Sequence, residues 1–572
     1  MTEAGRNSSR NIHIAGRGLA CALGNTLFES VAGLAAGGVK PAVAEGEMTS
    51  PYPYFTIGDT APVDPAAWTA RARNIITNVV REAGGEQLRN APLFIASSSL
   101  NMGAIERDQV RLHDMHAEAE EIACWLDWQG PVYWVSTACT SSINALLSAS
   151  QMLRDGPFVE AMVLGVELAN RYTQSGFAAM QLLSEQAARP LGAGRDGLVL
   201  GEAVAALRLS TAPQRWTLCG GACVVDGQDA TGASARAVIS CWREALRVSG
   251  LRADTIDLIK LQAAGSPTND ALELGAVDEV FSLTPALTSL KAHIGHTLGA
   301  SGAAEIALLT ASLEAGVWPT VQHAQDDSLP HCLDAMAPTH SARLLASIIG
   351  FGGSHACAVL QDNGIEPHEP EADVVHRFRL WEVCGRSGPA LPDGWREALA
   401  TLLGQRPRRI GTWAEAGLFG ALSCMRDADE TALPAGAILR LSSLGGPIAA
   451  TLQTLQTIKE DGMAMPFAFL QSQPGQLLAI IAQAVQWQGD ARIMNSRDPL
   501  ALLHAACNEA GPRGVLIGWL EEAHDAATAS NFWLRLRPAD PHVSADFAPA
   551  TLAGLQVCRY VRLGLEGKLD VA

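Results

Sequence analysis

The chain has 572 residues, which is enough for two to four domains of ordinary size. Hydrophobic residues make up 48% and charged residues 17%, a composition typical of a folded protein with a large core and not of a disordered one. The 59 acidic and 41 basic residues give a formal net charge of −18, which argues against nucleic acid and membrane surfaces as partners. No signal-peptide pattern and no run of about 18 apolar residues is found, so we expect a cytoplasmic protein.

Strand-like and helical patterns alternate over the first 360 residues. Apolar runs such as IHIAGRGLA, PLFIASSSL, VYWVSTA and AMVLGVEL are interspersed with helical stretches such as TLFESVAGLAAG and SINALLSASQML. This alternation predicts a layered α/β fold. The polar, proline-containing text DNGIEPHEPEADVVH predicts a linker at residues 363–385, between a first domain over residues 1–362 and a C-terminal lobe over residues 386–572.

The clearest chemical pattern is a cysteine at a predicted strand-to-helix junction. The strand-like run ends at Val135, Cys139 follows among small hydroxyl residues, and the helical pattern INALLSASQML comes next. Unpaired N–H groups at a helix N-terminus lower a thiol pKa and favour the thiolate. We therefore predict that Cys139 is a nucleophile that accepts an acyl group. The cysteines form no CxxC pair and no Cys/His spacing for zinc, so no metal site is predicted.

Five segments, in chain order, resemble the β-ketoacyl synthase (ketosynthase) family of condensing enzymes. They are IHIAGRGLACALGN, the TACTSS segment around Cys139, RPLGAGRDGLVLGEA, KAHIGHTLGASG and GFGGSH. The resemblance runs from about residue 12 to residue 362 and implies the thiolase-like layered αβαβα fold of that family. The remaining residues would form an additional α/β lobe that resembles half of a thiolase-like fold.

The resemblance also implies roles for particular residues. Cys139 would be the nucleophile, His296 the second family histidine, Lys291 and Glu305 its supports, and Phe351 the gate of the acyl pocket. Backbone N–H groups of Cys139 and Phe351 would form an oxyanion hole. No bound cofactor is expected, because acyl groups arrive on the phosphopantetheine arm of an acyl carrier protein.

One segment departs from the family pattern A-H-G-T-x-T-P-x-x-D. This chain has Gln-Ala-Ala-Gly-Ser-Pro-Thr-Asn-Asp over 262–270, and we assign Ala264 to the position of the first family histidine, in a loop shorter by two residues. Alanine cannot donate a hydrogen bond to a developing enolate, so acylation should proceed while decarboxylative elongation is impaired. His293 and His355 are possible substitute donors, although a structural role is the more economical explanation for each.

The C-terminal lobe repeats the order of the first. ILRLSSLGGP, PFAFLQSQPGQLLAIIAQA and VLIGWLEE correspond in order and character to LFIASSSLNMG, VYWVSTACTSSINALLSA and MVLGVELA, an assignment that places Gln473 where Cys139 stands. This text resembles the N-terminal half of chain-length-factor proteins, which accompany ketosynthases in aryl-polyene and type II polyketide systems and lack the nucleophile. The lobe is predicted to be a catalytically inert partner or a structural appendage.

Together these patterns predict an acyl-carrier-protein-dependent acyltransferase of polyketide, polyene or fatty-acid-like biosynthesis, acylated on Cys139. Two alternatives stay open: a complete elongating ketosynthase that uses His296 with a substitute donor, and a non-catalytic, chain-length-factor-like partner of a separate ketosynthase. Since folds of this family bury a two-fold interface near the nucleophile strand, a homodimer or a heterodimer with another ketosynthase is expected.

Overall fold

The structure is a computed structural model that describes residues 10–43, 51–58, 62–108, 114–227, 233–339, 342–364, 378–522, 530–564 and 568–572. Two lobes follow each other along the chain, the first over residues 10–364 and the second over residues 378–572. Both are α/β structures, as the alternating sequence pattern predicts. None of the helices in these ranges combines the length and apolar character that crossing a membrane requires.

The first lobe contains twelve strands and ten α-helices among the described residues. Its strands are β1 Ile12–Cys21, β2 Tyr54–Phe55, β3 Leu93–Ala96, β4 Val132–Val135, β5 Glu160–Glu167, β6 Leu200–Gly201, β7 Ala203–Ser210, β8 Trp216–Val225, β9 Leu258–Lys260, β10 Ala286–Thr288, β11 Arg343–Ile349 and β12 Ser354–Asp362. Its helices are α1 Leu27–Ala35, α2 Pro65–Glu82, α3 Met102–Asp108, α4 Met115–Trp125, α5 Ser141–Asp155, α6 Arg171–Ala179, α7 Ala235–Ser249, α8 Pro267–Val280, α9 Lys291–Ile294 and α10 Ser301–Glu314.

The second lobe is smaller. Its described strands are β13 Leu380–Ser387, β14 Ile438–Ser442, β15 Ala491–Asn495, β16 Val515–Glu521, β17 Ser530–Pro538, β18 Ala548–Pro549, β19 Tyr560–Leu563 and β20 Leu569–Val571. Its described helices are α11 Trp395–Leu403, α12 Thr412–Asp427, α13 Ile448–Asp461, α14 Pro466–Gln471, α15 Gly475–Ala484, α16 Pro499–Glu509 and α17 Leu552–Leu555.

The first lobe is built from two half-sheets of five strands. One has the order β4-β3-β5-β7-β1 and the other β8-β12-β11-β9-β10, and β1 joins them by pairing with the end of β8. Helices α5 and α10 pack against each other and against strands of both halves. A helix buried on nearly all sides needs apolar or small residues all round, and INALLSASQML in α5 supplies them. Burial of α5 between the half-sheets gives the layered thiolase-like arrangement.

The second lobe repeats only one of these halves. Its order is β15-β14-β16-β17-β13, continued by β19, β20 and β18. The two lobes join where β15 pairs antiparallel with β4, with Met494 opposite Val135. A single apolar core includes residues of both lobes, so the lobes share buried surface as well as strand pairing. β4, which precedes Cys139, and β15, its counterpart in the second lobe, are thus neighbours related by a local two-fold axis within one chain.

Most of the predicted linker lies outside the described residues, at 365–377. The strand β13 begins at Leu380 and pairs with β17 and β19, so residues 380–385 belong to the sheet of the second lobe. The paired part of that lobe therefore starts six residues before the predicted boundary at 386.

The strand pairing corrects the place assigned to Gln473. Leu93 pairs with Val132 and Met162, and Leu439 pairs in the same way with Ala491 and Leu516. These ladders match β3, β4 and β5 to β14, β15 and β16, and they match Val135 to Met494. Cys139 lies four residues after Val135, so its counterpart in the second lobe is Asp498, four residues after Met494.

Gln473 instead lies between α14 and α15, before β15. The sequence match was wrong because the helical text around 475–484 resembles the helix after the nucleophile, whereas its place in the chain order is that of α4.

Candidate active site

Cys139 lies in a short 3-10 turn between β4 and α5. The preceding Ala138 has a φ of 51°, a left-handed conformation that is uncommon for a residue with a Cβ. Ser141 holds this turn, because its Oγ donates to the Ala138 carbonyl at 2.6 Å and accepts from the Thr137 N–H at 2.9 Å. The sharp turn places the Cys139 sulfur ahead of the helix, with only 5% of the residue exposed.

The structure brings Cys139 into contact with His296. The distance from His296 Nε2 to Cys139 Sγ is 3.0 Å, and Lys291 Nζ lies 3.1 Å from His296 Nδ1. A lysine ammonium can only donate, so Nδ1 accepts and the ring proton of the neutral imidazole is assigned to Nε2. His296 therefore presents an N–H group to the sulfur and to whatever binds there.

A buried charge cluster supports the histidine. Glu305 forms ion pairs with both Lys291 and Lys260, and all three side chains are almost completely buried. Lys291 also donates to Ser301 Oγ at 3.0 Å. The family resemblance implied Lys291 and Glu305 as supports of His296, and Glu305 reaches the histidine through its ion pair with Lys291. Lys260 was missed, because an isolated lysine in an apolar strand gives no sign in the sequence of the carboxylate it will meet.

Burial sets the protonation states at this site. It lowers the pKa of His296 well below its usual value, and the nearby charges of Lys291 and Lys260 add to that effect. Burial also lowers the pKa of Lys291, although Glu305 opposes the change. The imidazole is therefore neutral at physiological pH.

The Cys139 thiol behaves differently from the expectation drawn from its helix. Burial raises its pKa to about 11, and the hydrogen bond from the Phe351 backbone and the charge of Lys291 offset only part of this. The expected thiolate was wrong as a description of the resting site, since loss of hydration outweighs the field of the helix N-terminus. The resting pair is a neutral thiol beside a neutral imidazole.

The turn that contains Phe351 completes the surroundings of the sulfur. Gly352 and Gly353 have φ values of 79° and 67°, which only glycine adopts without strain, and the Gly350 N–H donates to the Ser354 carbonyl at 2.6 Å. Ser354 Oγ lies 2.9 Å from Thr140 Oγ1, so the turn is tied to the residue that follows Cys139. The Phe351 N–H consequently reaches the Cys139 sulfur.

The two candidate substitute histidines point elsewhere. His293 lies against Gly38 and His323, and burial lowers its pKa to about 4. The Ser234 N–H donates to His355 Nε2 at 3.3 Å, on the far side of the Phe351 turn. Neither imidazole has a described hydrogen bond to Cys139 or His296, so the structure gives no support to either as a donor there.

The loop after β9 corrects the assignment of Ala264. Pro267 begins α8, and the Asp270 carboxylate accepts from the N–H groups of Ala264 and Gly265 at 3.1 and 3.0 Å. The proline and the aspartate of the family pattern therefore correspond to Pro267 and Asp270. If the pattern is aligned on these two residues without a gap, its histidine falls on Gln262 and the loop has its full length.

The cavity beside Cys139 is lined by both lobes. Its walls are Ser98, Ala138, Cys139, Tyr172, Thr173, Phe177, Leu298 and Phe351 of the first lobe with Phe469 and Gln473 of the second. The Phe469 ring contacts Tyr172 and Phe177 at centroid distances of 5.5 and 6.1 Å. The cavity has a volume of about 10 Å³, room for one water molecule. Gln473, expected to mark an inert counterpart of the nucleophile, is thus part of the wall of the cysteine pocket.

Two family models match this region. Residues 106–215 match the N-terminal domain of β-ketoacyl synthase, and residues 217–325 match its C-terminal domain. Over these residues the first lobe is similar to the β-ketoacyl synthase family. Within the described residues, no group of three or more histidine, cysteine or acidic side chains is arranged to hold a metal ion.

Known relatives agree with that family. The chain is 30% identical to 3-oxoacyl-[acyl-carrier-protein] synthase 2 of Rhizobium meliloti over 264 residues, which are 41% of this chain and 61% of the relative. It is 28% identical to erythronolide synthase EryA2 of Saccharopolyspora erythraea over 427 residues, 68% of this chain and 11% of that much longer protein. The chain thus spans less than two thirds of the length of each of these relatives.

Solved structures match the two-lobed fold. The PfaC ketosynthase–chain length factor aligns with 95% of this chain and 81% of its own, at 15% identity and a TM-score of 0.69. The ketosynthase ApeO with its chain length factor ApeC from Xenorhabdus doucetiae aligns with 63% of this chain and 100% of the matched chain, at 21% identity and a TM-score of 0.54. The thiolase-like ketosynthase fold is therefore shared with both.

Proposed function

We propose that this protein is a condensing enzyme of polyketide, polyene or fatty-acid-like biosynthesis that takes an acyl group from a carrier-protein thioester onto Cys139. The observation that carries the proposal is the contact between His296 Nε2 and Cys139 Sγ, backed by Lys291 and Glu305. A retained nucleophile with His296, Lys291 and Glu305 behind it argues against a purely non-catalytic partner. Polyketide synthases and 3-oxoacyl-[acyl-carrier-protein] synthases among the relatives support the choice of pathway class.

The proposed acylation is a thioester exchange. The Cys139 sulfur attacks the acyl carbonyl, a new C–S bond forms, and the bond to the phosphopantetheine sulfur of the carrier breaks. The proton lost by the Cys139 thiol leaves on the carrier thiol. Negative charge on the carbonyl oxygen of the tetrahedral intermediate is stabilised by the N–H groups of Cys139 and Phe351. The step needs no metal and no bound cofactor.

The aromatic wall of the cavity favours a short acyl group on Cys139. The cavity has room for one water molecule, so any acyl chain must displace Phe469 or Phe177, which meet beyond the sulfur, and a short chain displaces them least. The second lobe, in this proposal, closes the pocket and performs no chemistry of its own. Asp498, the counterpart of Cys139, is exposed and caps α16 by accepting from the N–H groups of Leu500 and Ala501.

Intact-protein mass spectrometry after incubation with acyl-loaded carrier proteins tests acylation. We expect a single acyl adduct with short chains, absent from Cys139→Ala, while Cys507→Ala in the second lobe keeps it. Absence of any adduct, or an adduct that persists in Cys139→Ala, would show that the nucleophile assignment is wrong.

The pairing of β4 with β15 also changes the expected assembly. In the first lobe the edge of β4 is already occupied by the chain's own second lobe, so a second subunit cannot pair there. We therefore propose that the chain works as a monomer whose two lobes take the place of two subunits, in contrast to the dimer expected from the family. Light scattering at micromolar concentration should give about 60 kDa. A mass near twice that value would show that the chain forms a dimer and would contradict the proposed monomer.

A further inference from the structure

Gln262 lies on the catalytic face of the strand that carries Lys260. Ile259, Leu261 and Ala263 pack into the apolar core on one side of β9 and its extension, whereas Lys260 reaches Glu305 on the other side. Successive side chains of a strand alternate, so Gln262 shares the face of Lys260, about 7 Å further along. That displacement is toward the end of β9, where the neighbouring parallel strand β10 leads into Lys291.

The backbone of Gln262 is tightly held beside Lys291. Glu273 accepts from the N–H groups of Gln262 and Ala263, both at 2.9 Å. Ser289 Oγ donates to the Ala263 carbonyl at 2.7 Å and accepts from the Lys291 N–H at 3.2 Å. One hydroxyl thus links the residue after Gln262 to the lysine that orients His296. The geometry leaves the Gln262 side chain as the part of this segment that is free to meet a ligand.

The side chain of Gln262 is incompletely satisfied. The residue is 7% exposed, and its Oε1 atom is buried without a hydrogen-bond partner among the described residues. Buried polar groups without a partner are uncommon in folded proteins and often have a functional cause. A primary amide can turn over, so the vacant hydrogen-bonding capacity can serve as donor or acceptor.

We propose that the Gln262 amide N–H donates to the carbonyl oxygen of an extender thioester of the malonyl type, as a second donor beside His296 Nε2. This inference rests on the proposed function. In the step, the bond from Cα to the carboxylate breaks and carbon dioxide leaves. The electron pair forms the C=C bond of an enolate, whose oxygen receives the two hydrogen bonds. The enolate carbon then attacks the acyl carbonyl on Cys139, and the Cys139 thiolate is expelled.

A neutral donor fits its surroundings. The two buried lysines already carry more positive charge than Glu305 neutralises, and they depress the pKa of His296. An amide keeps its N–H groups at any pH between about 5 and 9, because it has no ionisable proton in that range. We therefore expect decarboxylative elongation to proceed with Gln262 in place of the family histidine. This differs from the impaired elongation that was expected when Ala264 was assigned to that position.

The test compares carbon dioxide release from malonyl-loaded carrier protein with acylation of Cys139 in the same preparations. We expect Gln262→Ala to lower decarboxylation by about 10²-fold or more while acylation stays within about threefold. Gln262→Glu keeps the shape but loses the N–H donors when ionised, so it should lower decarboxylation similarly. Thr268→Ala, an exposed change in the first turn of α8, should leave both rates unchanged.

Several outcomes overturn the inference. Carbon dioxide release from Gln262→Ala within about threefold of the parent would exclude the amide as a donor. A parent that acylates Cys139 but releases no carbon dioxide would overturn the inference and leave the proposed function standing. A parent that does neither would overturn the proposed function itself. If Gln262→Ala fails to fold, Gln262→Met preserves the side-chain volume and replaces it in the test. Carbon dioxide release from Gln262→Met within about threefold of the parent would likewise exclude the amide as a donor.

Discussion

The two lobes share one strand order, but among the described residues only the first lobe places a cysteine against a histidine. β4-β3-β5-β7-β1 and β15-β14-β16-β17-β13 have the same order and the same parallel and antiparallel neighbours. At the end of the matched strand, the first lobe has a buried Cys139 and the second an exposed Asp498. The shared half-fold makes a strand-to-helix turn, and that turn alone does not make a catalytic site.

The difference lies in the second half-sheet. In the first lobe, β8–β12 and α10 contribute His296, Lys291, Glu305 and Phe351 around the sulfur. The second lobe continues instead into β18–β20, which cover the apolar side of α16. The second lobe contributes only part of the pocket wall. Phe469 and Gln473 line the pocket, and Gly475 packs near Gly352 in the turn that contains Phe351. The surroundings of Cys139 therefore combine both half-sheets of the first lobe with residues of the second lobe.

Removal of His296 should make the first lobe as inert as the second. We expect His296→Ala to slow acylation of Cys139 by about 10²–10⁴-fold, because the sulfur and the thioester lose their Nε2–H partner. Rapid-quench mass spectrometry of the acyl adduct measures the effect. His504→Ala in α16 is the control from the other lobe and should acylate at the parental rate. Equal slowing in both variants would mean that the effect is structural.

Loss of Glu305 should be the most destabilising single change in the charge cluster. Glu305→Gln leaves Lys260 and Lys291 buried without their common partner, and we expect a loss of about 3–5 kcal/mol in the free energy of unfolding. Denaturant titration measures it. Lys260→Met keeps the pair of Glu305 with Lys291, so its cost should be much smaller. A larger loss in Lys260→Met than in Glu305→Gln would contradict the described pairing.

The contribution of the second lobe to the pocket can be measured at Phe469. We expect Phe469→Ala to cost about 3 kcal/mol in unfolding free energy and to admit longer acyl chains onto Cys139, because the ring packs on Tyr172 and Phe177. Competition between short and long acyl carrier proteins, read by mass, tests the second effect. Phe467→Ala, whose side chain is 51% exposed on the same helix, should change neither property. If Phe469→Ala keeps the parental preference for acyl-chain length, the second lobe does not limit the length of the acyl chain on Cys139.

The smallest expected effect is a pH dependence of stability that belongs to the first lobe. Burial lowers the pKa of His296 and of His355, so unfolding at low pH takes up protons that the folded state excludes. Their stabilising contribution is present above pH 6.5 and is lost as the pH falls through and below that value. The buried carboxyl groups of Glu273 and Glu521, whose pKa values are raised to about 7, stabilise the folded state as the pH falls and oppose this effect. The histidine contribution is therefore measured as the difference between the parent and His296→Gln in urea titrations from pH 8 to pH 5, where the parent should lose more stability, or gain less, than the variant. The same pH dependence in both proteins would contradict it.

Local patterns were sufficient for the chemical core of the site. The strand-to-helix position of Cys139, the Gly-His turn with His296 and Lys291, and the Gly-rich turn at Phe351 are each contiguous stretches whose backbone requirements can be read from neighbouring residues. The structure confirms the layered α/β fold that was predicted and places these side chains together. Two predicted correspondences were wrong, at Ala264 and at Gln473, because similar short sequence patterns occur in more than one place in an α/β chain.

By itself, the sequence determined the nucleophile candidate, the residues behind it and the family of the fold, since those depend on short-range order and on apolar periodicity. Only the tertiary structure decided that β15 pairs with β4, that Lys260 shares Glu305, and that Phe469 and Gln473 close the pocket. It also decided that the Cys139 thiol has a raised pKa, because burial is a property of packing. Contacts between residues hundreds of positions apart depend on how whole layers pack, and no local pattern encodes them.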